Sequence, residues 1–224
     1  EFMEDVLGIP SYAKSLMDYD GKLNMTKAAI EVSNKVTTVS PTYAQELLDP
    51  WYSHGMDREL AHHTYKTCGI LNGIDYIANN PETDNSLYQT YSAEKLEGKE
   101  ENKRKLLEET GLSNEGRPLV GIVSRLVDHK GLDLVQYALE RLVNDGFQFV
   151  ILGAGEYRYE SFFEEMHWRY PSQISTTLGF FPDFAKKIYA GSDMLLMPSK
   201  SEPCGLAQMI SLRYGTIPIV RETG

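Results

Sequence analysis

Residues 119–123 read Leu-Val-Gly-Ile-Val and residues 147–152 read Phe-Gln-Phe-Val-Ile-Leu, two short apolar runs separated by a helical pattern. Within residues 131–144, apolar side chains recur at the i, i+3, i+4, i+7 spacing of one helix face. Gly146 follows this pattern and is a typical residue to end a helix. A strand, a helix and a strand at this spacing predict a right-handed βαβ unit with parallel strands.

The same alternation continues toward the end of the sequence. It predicts a Rossmann-like α/β fold, with a parallel sheet and helices on both of its faces. The further elements expected are a helix over residues 157–170, a strand at 174–178, a helix at 184–190, a strand at 194–197, a helix at 209–214 and a strand at 217–220.

The first part of the chain has a different pattern. It predicts a helix over residues 26–33, a β-branched strand over 35–40 and a helix that begins at Pro41. This αβα stretch is too small for a domain, so we expect it to be the tail of an earlier one. The predicted division is residues 1–75 for that tail, 76–116 for a hinge and a charged helix, and 117–224 for the Rossmann-like domain.

Two segments of the middle section carry predictions of their own. The polar, proline-containing residues 79–84 are typical of a hinge. Residues 97–109 are densely charged and include Lys99, Lys103 and Arg104, which predicts a solvated helix with ion pairs between successive turns.

Composition limits the classes of partner. The chain of 224 residues is 42% hydrophobic and 24% charged, as is typical of a folded globular protein. A net charge of −10 argues against nucleic acid or an anionic membrane as a partner. Two cysteines far apart in the sequence fit a reducing compartment. The first residues have neither a basic nor an apolar region, so no signal peptide is expected there. Because the sequence stops directly after a strand, we expect a fragment.

The strongest chemical motif lies at residues 198–208, Pro-Ser-Lys-Ser-Glu-Pro-Cys-Gly-Leu-Ala-Gln. It follows a predicted strand and precedes a predicted helix, so Glu202 lies at a strand-to-helix turn. The first N–H groups of a helix have no partner inside the helix and attract phosphate. One acid beside such a helix start suits an enzyme that acts on a phosphorylated sugar donor.

Arg125 and Lys130 follow the strand at residues 119–123. Ligands of open α/β sheets bind at the carboxyl ends of the strands, where two cations can neutralise a diphosphate and stabilise a negative leaving group. The alternative is a surface arginine and a lysine that caps a helix. The position of Glu202 at another strand end of the same sheet favours the first interpretation.

Four further motifs are less specific. Gly153 and Gly155 form a Gly-x-Gly turn without a third glycine, which fits a nucleotide or a tight turn alone. Phe180 ends a strand, where it would stack on a base or pack in the core. Cys204 is a reactive thiol or a small residue packed beside the site. The five histidines show no metal-ligand spacing, so no metal is expected.

Together these segments resemble the family of bacterial glycogen synthases and plant starch synthases, retaining glucosyltransferases of the two-domain GT-B type. The resemblance covers essentially the whole chain. It is carried by residues 39–44, 71–75, 124–126, 130–134, 152–155, 198–208 and 214–221. It implies that the predicted sheet is the C-terminal half of a GT-B fold.

The resemblance also implies an activity, the transfer of glucose from ADP-glucose to an α-1,4-glucan, with no metal or other cofactor. Arg125 and Lys130 would hold the diphosphate, and Glu202 would bind the donor glucose and stabilise charge at the transferring carbon. The remaining residues would contact the donor: Asn72 from the hinge side, Gly155 and Phe180 at the nucleoside, Gly153 in the same turn as Gly155, Cys204 beside the site, and the amides of Gly205, Leu206 and Ala207 at the distal phosphate.

Some features of the family differ here. Its Lys-Thr-Gly-Gly loop, near the family's N-terminus, is not in this sequence, so we expect the fragment by itself to be inactive. Another GT-B enzyme that uses a UDP- or GDP-sugar, or a non-catalytic nucleotide-binding module, are the alternatives. Many UDP- and GDP-sugar enzymes carry a second glutamate eight positions after the first, where this chain has Ile210. The expected location is the cytoplasm for a bacterial protein and the plastid for a plant protein.

Overall fold

The computed structural model describes residues 2–224. The chain divides into two compact units, one up to residue 72 together with Gly224, and the other from Gly73 to Thr223. No helix of the described residues combines the length and the apolar character needed to cross a bilayer.

The first unit contains short helices around small sheets. Its helices are α1 (Lys14–Met17), α2 (Met25–Val32), α3 (Pro41–Glu46) and α4 (Asp57–His62), and its strands are β1 (Asp18–Tyr19), β2 (Lys22–Leu23), β3 (Val36–Thr38) and β4 (Thr67–Gly69). Strands β1 and β2 pair antiparallel, whereas β3 and β4 pair parallel. The predicted helices near residues 26 and 41 and the strand between them are confirmed.

Side-chain caps explain where two of these helices begin. The Asn24 side chain accepts a hydrogen bond from the Lys27 N–H at 3.0 Å, and Ser40 Oγ accepts one from the Tyr43 N–H at 2.7 Å. Ile30, Met56 and Leu60 form the small buried core between α2 and α4.

The second unit is the Rossmann-like part. Its elements are α5 (Glu97–Thr110), β5 (Leu119–Val123), α6 (Leu132–Asn144), β6 (Gln148–Gly153), α7 (Tyr157–Arg169), β7 (Ile174–Leu178), α8 (Pro182–Gly191), β8 (Met194–Met197), α9 (Leu206–Arg213) and β9 (Ile217–Val220). The five strands pair in the order β7-β6-β5-β8-β9, and every pair is parallel. Pro218 is tolerated in β9 because this strand lies at the edge.

Both faces of the sheet are covered, as predicted. In β6, Phe149 and Ile151 pack with α6 and α7, whereas Val150 and Leu152 pack with α5 and α8. Alternate residues of the same strand are therefore buried on opposite faces, which accounts for its continuous apolar sequence. The predicted α/β fold class is confirmed.

Helix α9 corrects one predicted boundary. It begins at Leu206, three residues before the expected start at 209. The residue before it, Gly205, provides no side-chain cap, so the sequence lacks the polar residue that usually marks a helix start.

The charged helix α5 corrects a second prediction. Leu106 and Leu107 are buried against α8, so one side of the helix belongs to the core. Lys99 and Lys103 do not point into solvent, because their ammonium groups donate to backbone oxygens of the same unit. Arg104 and Lys105 form the expected exposed pairs, Arg104 with Glu101 and Glu108, and Lys105 with Glu108.

The segment at residues 79–84 lies within the second unit. Asp84 Oδ2 accepts hydrogen bonds from Lys186 and from the Tyr214 hydroxyl, and the Arg213 guanidinium donates to the Asn79 carbonyl at 3.3 Å. Its role as a hinge stays a prediction.

Candidate nucleotide-sugar site

Two strand-end loops of the second unit form a cavity of about 490 Å³. One loop follows β5 and the other follows β8, adjacent strands of the parallel sheet. The cavity therefore lies at the carboxyl edge, where open α/β sheets bind their ligands. Seven of the predicted residues line it: Arg125, Lys130, Phe180, Glu202, Cys204, Leu206 and Ala207.

Lys130 and Glu202 form the centre of the site. Lys130 Nζ lies 2.7 Å from Glu202 Oε2, and the two side chains are only 16% and 15% exposed. The Ser199 hydroxyl donates to the same carboxylate oxygen at 2.8 Å. The carboxylate is therefore held in one orientation by an ammonium and a hydroxyl from the two loops.

Arg125 differs from Lys130 because its guanidinium is exposed and pairs with no carboxylate among the described residues. One of its terminal nitrogens lies 3.4 Å from His129 Nε2. Burial, together with the positive charges of Lys130 and Arg125, lowers the pKa of His129 below its usual value. The site thus offers two cations and an imidazole that takes up a proton less readily than usual.

Glycines explain how the two loops approach each other so closely. Gly131 has a φ of +68°, and a Cβ there would lie 2.0 Å from the Pro198 carbonyl oxygen. Only glycine fits this contact between the two loops. Two ion pairs of Lys200, with Asp128 at 3.3 Å and Asp133 at 3.1 Å, hold the same loops together.

Gly153 and Gly155 do not line the cavity but support one of its walls. A Cβ at Gly153 would lie 2.0 Å from the Ser124 carbonyl oxygen, and one at Gly155 would lie 2.3 Å from that of Leu126. The backbone of Leu126 bonds to Ala154 and Glu156 on either side of Gly155. The structure therefore supplies a packing reason for both glycines, and their predicted contact with the donor stays a prediction.

The start of α9 faces the cavity through Leu206 and Ala207. Within the described residues, no side chain caps this end of the helix, so its first amides are available to an anion. Gly205 precedes these residues as the N-cap and is itself buried. Phe180 is 88% exposed at the end of β7, a position from which its ring can stack on a ligand.

Asn72 is the one predicted site residue in the first unit. It is exposed in the loop after β4. Its predicted contact with the donor stays a prediction.

Sequence reasoning missed Ser199 and His129 as members of the site. Ser199 lies in the quoted motif three residues before Glu202, and its strand-end position was the available indication. His129 directly precedes Lys130, but its contact with Arg125 depends on a turn that the sequence pattern does not reveal.

Comparison with known proteins identifies the class. The family model of the group 1 glycosyl transferases matches residues 103–224, and that of the starch synthase catalytic domain matches residues 1–62. The chain belongs to the group 1 glycosyl transferases, because their model covers more than half of it.

The relatives are more specific and confirm the resemblance to glycogen and starch synthases. The glycogen synthase of Clostridium acetobutylicum is 48% identical over 94% of this chain and 44% of its own length. The glycogen synthase of Pseudothermotoga lettingae is 46% identical over 97% of this chain and 45% of its own. The chain thus spans less than half the length of these curated relatives.

The fold also matches solved structures. The catalytic domain of starch synthase IV from Arabidopsis thaliana, bound to ADP and acarbose, superposes with a TM-score of 0.84 at 44% identity, over 90% of this chain and 42% of that one. An Anabaena protein, HepE, in complex with UDP and glucose, superposes with a TM-score of 0.59 at 18% identity, over 88% of this chain and 46% of that one, a likeness of fold alone.

Proposed function

We propose that this chain carries the donor-binding part of a glucosyltransferase that extends α-1,4-glucan from ADP-glucose with retention of configuration. The observation that carries the proposal is the pair Lys130–Glu202 beside Arg125, at the edge of a cavity that also contains the start of α9. A diphosphate needs fixed cations and N–H donors, and a transferring sugar needs a nearby carboxylate.

Arg125 and Lys130 are assigned to the donor diphosphate. The Arg125 guanidinium is available for a bidentate contact, since it forms no carboxylate pair within the described residues. Lys130 Nζ lies against Glu202, so a bound phosphate would share this ammonium with the carboxylate. As the glycosidic bond breaks, the two cations would stabilise the negative charge that develops on the leaving nucleotide.

Glu202 is assigned to the donor glucose. Ser199 and Lys130 both bond to its Oε2, which orients the carboxylate before any ligand binds. A carboxylate fixed in this way stabilises positive charge at the transferring carbon. We propose that the leaving phosphate guides the acceptor to the same face, so that configuration is retained and no metal takes part.

The relatives support the proposed glucan acceptor and the proposed nucleotide. The Arabidopsis starch synthase IV structure was solved with ADP and acarbose, which supports an adenine nucleotide and a glucan-like ligand in this family. Because the chain spans under half the length of its curated relatives, we assign donor binding to it and glucan extension to the complete enzyme.

Titration calorimetry with ADP and UDP tests the proposal. We expect ADP to bind more tightly than UDP. Lys130→Ala should weaken ADP binding by about 10- to 100-fold, the usual effect of losing a hydrogen bond to a charged group.

The matched control is Lys105→Ala. Lys105 lies on α5, is 41% exposed and pairs only with Glu108 among the ion pairs of the described residues, so ADP binding should not change. Tighter binding of UDP than of ADP would contradict the assigned donor. Equal losses of ADP affinity in Lys130→Ala and Lys105→Ala would contradict the assigned site.

A further inference from the structure

Two ion pairs of opposite polarity join the loop after β5 to the loop after β8. In the outer pair, Asp128 of the first loop lies 3.3 Å from Lys200 of the second. Two residues further along each loop, Lys130 and Glu202 form the inner pair at 2.7 Å. The acid is on the first loop in the outer pair and on the second loop in the inner pair. A shift of two residues would bring Asp128 to Glu202, so the charges favour the observed alignment of the loops.

A backbone hydrogen bond lies between the two ion pairs. The Lys200 N–H donates to the carbonyl oxygen of His129 at 2.8 Å. His129 directly precedes Lys130, and Lys200 lies two residues before Glu202. The loop that carries Glu202 is therefore attached through main chain and side chains to the turn that carries Lys130.

The outer pair has further partners on two helices. Lys200 Nζ also lies 3.1 Å from Asp133 Oδ2, in the first turn of α6. Asp128 uses its second carboxylate oxygen, Oδ1, for the Arg158 guanidinium and the Tyr159 hydroxyl, each at 3.2 Å. Tyr159 is buried in the core beneath α7, so its hydroxyl is fixed in position. The outer pair thus connects both loops to α6 and α7.

The inner pair has less support and faces the cavity. Among the described residues, Glu202 is the one hydrogen-bond acceptor of the Lys130 ammonium. A diphosphate that bound Lys130 would therefore weaken its contact with Glu202 at the moment when the carboxylate must meet the donor glucose. The Ser199 hydroxyl would still bond to Glu202, but both residues belong to the same loop. A contact within one loop cannot hold that loop against the other.

The outer pair is placed where a donor would not disturb it. The residues that line the cavity, within the described part of the chain, include neither Asp128 nor Lys200. Both ion pairs of Lys200 and the main-chain hydrogen bond to His129 can therefore persist when Lys130 contacts phosphate.

We propose that Asp128 and Lys200 are positioning residues that keep Glu202 in place while Lys130 binds the donor diphosphate. This inference rests on the proposed function, since it concerns the same donor. Neither residue touches the donor itself, and both act through the backbone of the two loops. Loss of the outer pair should therefore weaken the contact of Glu202 with the donor glucose more than the contact of the cations with the diphosphate.

Titration calorimetry of the whole chain with ADP and with ADP-glucose tests this. Asp128→Asn should lower the affinity for ADP-glucose roughly three- to fivefold, as expected for a partly exposed ion pair, and that for ADP by less than about twofold. The variant removes a negative charge near the site, so a charge effect alone would strengthen the binding of both anionic ligands. The direction of the change separates the two explanations.

Lys200→Met removes the other partner and covers the case in which Asp128→Asn folds poorly. It should also lower the affinity for ADP-glucose relative to that for ADP. Lys200→Arg should restore the wild-type ratio, because a guanidinium also pairs with carboxylates. The matched control is Asp145→Asn, which removes an acid that pairs with Arg141 at the C-terminal end of α6 and should change neither affinity.

Unchanged affinities, or equal changes for ADP and ADP-glucose, in Asp128→Asn and Lys200→Met would overturn the positioning role. The proposed function would survive that result if the wild type still bound ADP more tightly than UDP. A wild-type chain that bound neither ADP nor ADP-glucose would overturn both proposals.

Discussion

Lysines of the second unit lie at both ends of its five-stranded sheet, but their side chains have different partners at the two ends. At the carboxyl end, Lys130 faces Glu202 and a cavity of about 490 Å³. At the amino end, four oxygens surround Lys99 Nζ at 2.8–3.1 Å, namely Ala190 O, Ser192 O, Tyr214 O and Thr216 Oγ1.

At the amino end, the main partners of Lys99 are backbone carbonyl groups. Three of the acceptors of Lys99 are carbonyls at the ends of α8 and α9, which have no partners inside their helices. Beside it, Lys103 pairs with Asp193 at 2.6 Å, and Asp193 accepts the Leu119 N–H at 2.7 Å. A lysine with backbone acceptors stabilises the fold, whereas a lysine that faces a carboxylate and a cavity can exchange its partner for a ligand.

The largest expected effect comes from the contact between the two loops of the carboxyl end. Gly131→Ala places a methyl group 2.0 Å from the Pro198 oxygen at a positive φ, so the loops must separate. We expect a loss of at least about 2 kcal/mol in the free energy of unfolding, measured by urea denaturation, and a loss of ADP binding.

Gly146→Ala is the control for this substitution. Gly146 also has a positive φ, +98°, but a Cβ there meets no atom within 4 Å. It should cost about 1–2 kcal/mol from backbone strain and leave ADP binding unchanged. Similar losses of ADP binding in both variants would mean that the contact with Pro198 does not position the site.

Lys99→Met tests the amino end and should have the next largest effect. It removes the donor to the Ala190 carbonyl, whereas the Tyr214 and Ser192 carbonyls keep the Tyr91 and Thr216 hydroxyls as donors. One buried acceptor left unpaired costs about 1–3 kcal/mol. Burial lowers the pKa of Lys99 to about 8, so the group is still mostly charged at pH 7. Urea denaturation should show the loss, whereas calorimetry should show ADP affinity within about twofold of wild type.

Lys130→Ala should show the reverse pattern, a large loss of ADP affinity with a smaller loss of stability. The comparison between the two ends fails if Lys99→Met weakens ADP binding as much as Lys130→Ala does.

The smallest expected effect is the pH dependence contributed by His129. Burial and the charges of Lys130 and Arg125 lower its pKa, and the weaker effects of Glu202 and Asp128 raise it. Since the folded state binds a proton less readily than the unfolded chain, this group reduces stability as the pH falls below 6.5. A bound diphosphate would oppose those positive charges and raise the pKa, so binding would take up a proton.

We therefore expect ADP affinity of the wild type, relative to His129→Gln, to increase roughly two- to fivefold between pH 7.5 and 5.5. The ratio between the two proteins cancels the ionisation of ADP itself. A ratio that does not change with pH would show that His129 does not sense the phosphate charge.

Much of the candidate site was accessible from the sequence because its residues follow strands. Glu202, Arg125 and Lys130 each come after an apolar run, and the carboxyl ends of parallel strands meet at one edge. The role of Lys99 was not accessible, since the charged pattern of residues 97–109 does not show that its ammonium reaches the ends of α8 and α9. The prediction of a solvated helix was therefore wrong for the side that carries Lys99 and Lys103, while the exposed ion pairs of Arg104 and Lys105 agree with it.

By itself, the sequence determined the α/β class, the order of strands and helices in the second unit, and the edge of the sheet at which the candidate site lies, because hydrophobic periodicity and strand ends are local properties. Only the tertiary structure decided which partners the charged residues have. It placed Ser199 on Glu202, made Lys99 a support of the fold, and brought Glu31 to His63 from another helix. Contacts between distant segments depend on how helices and strands pack, and no local sequence pattern encodes that packing.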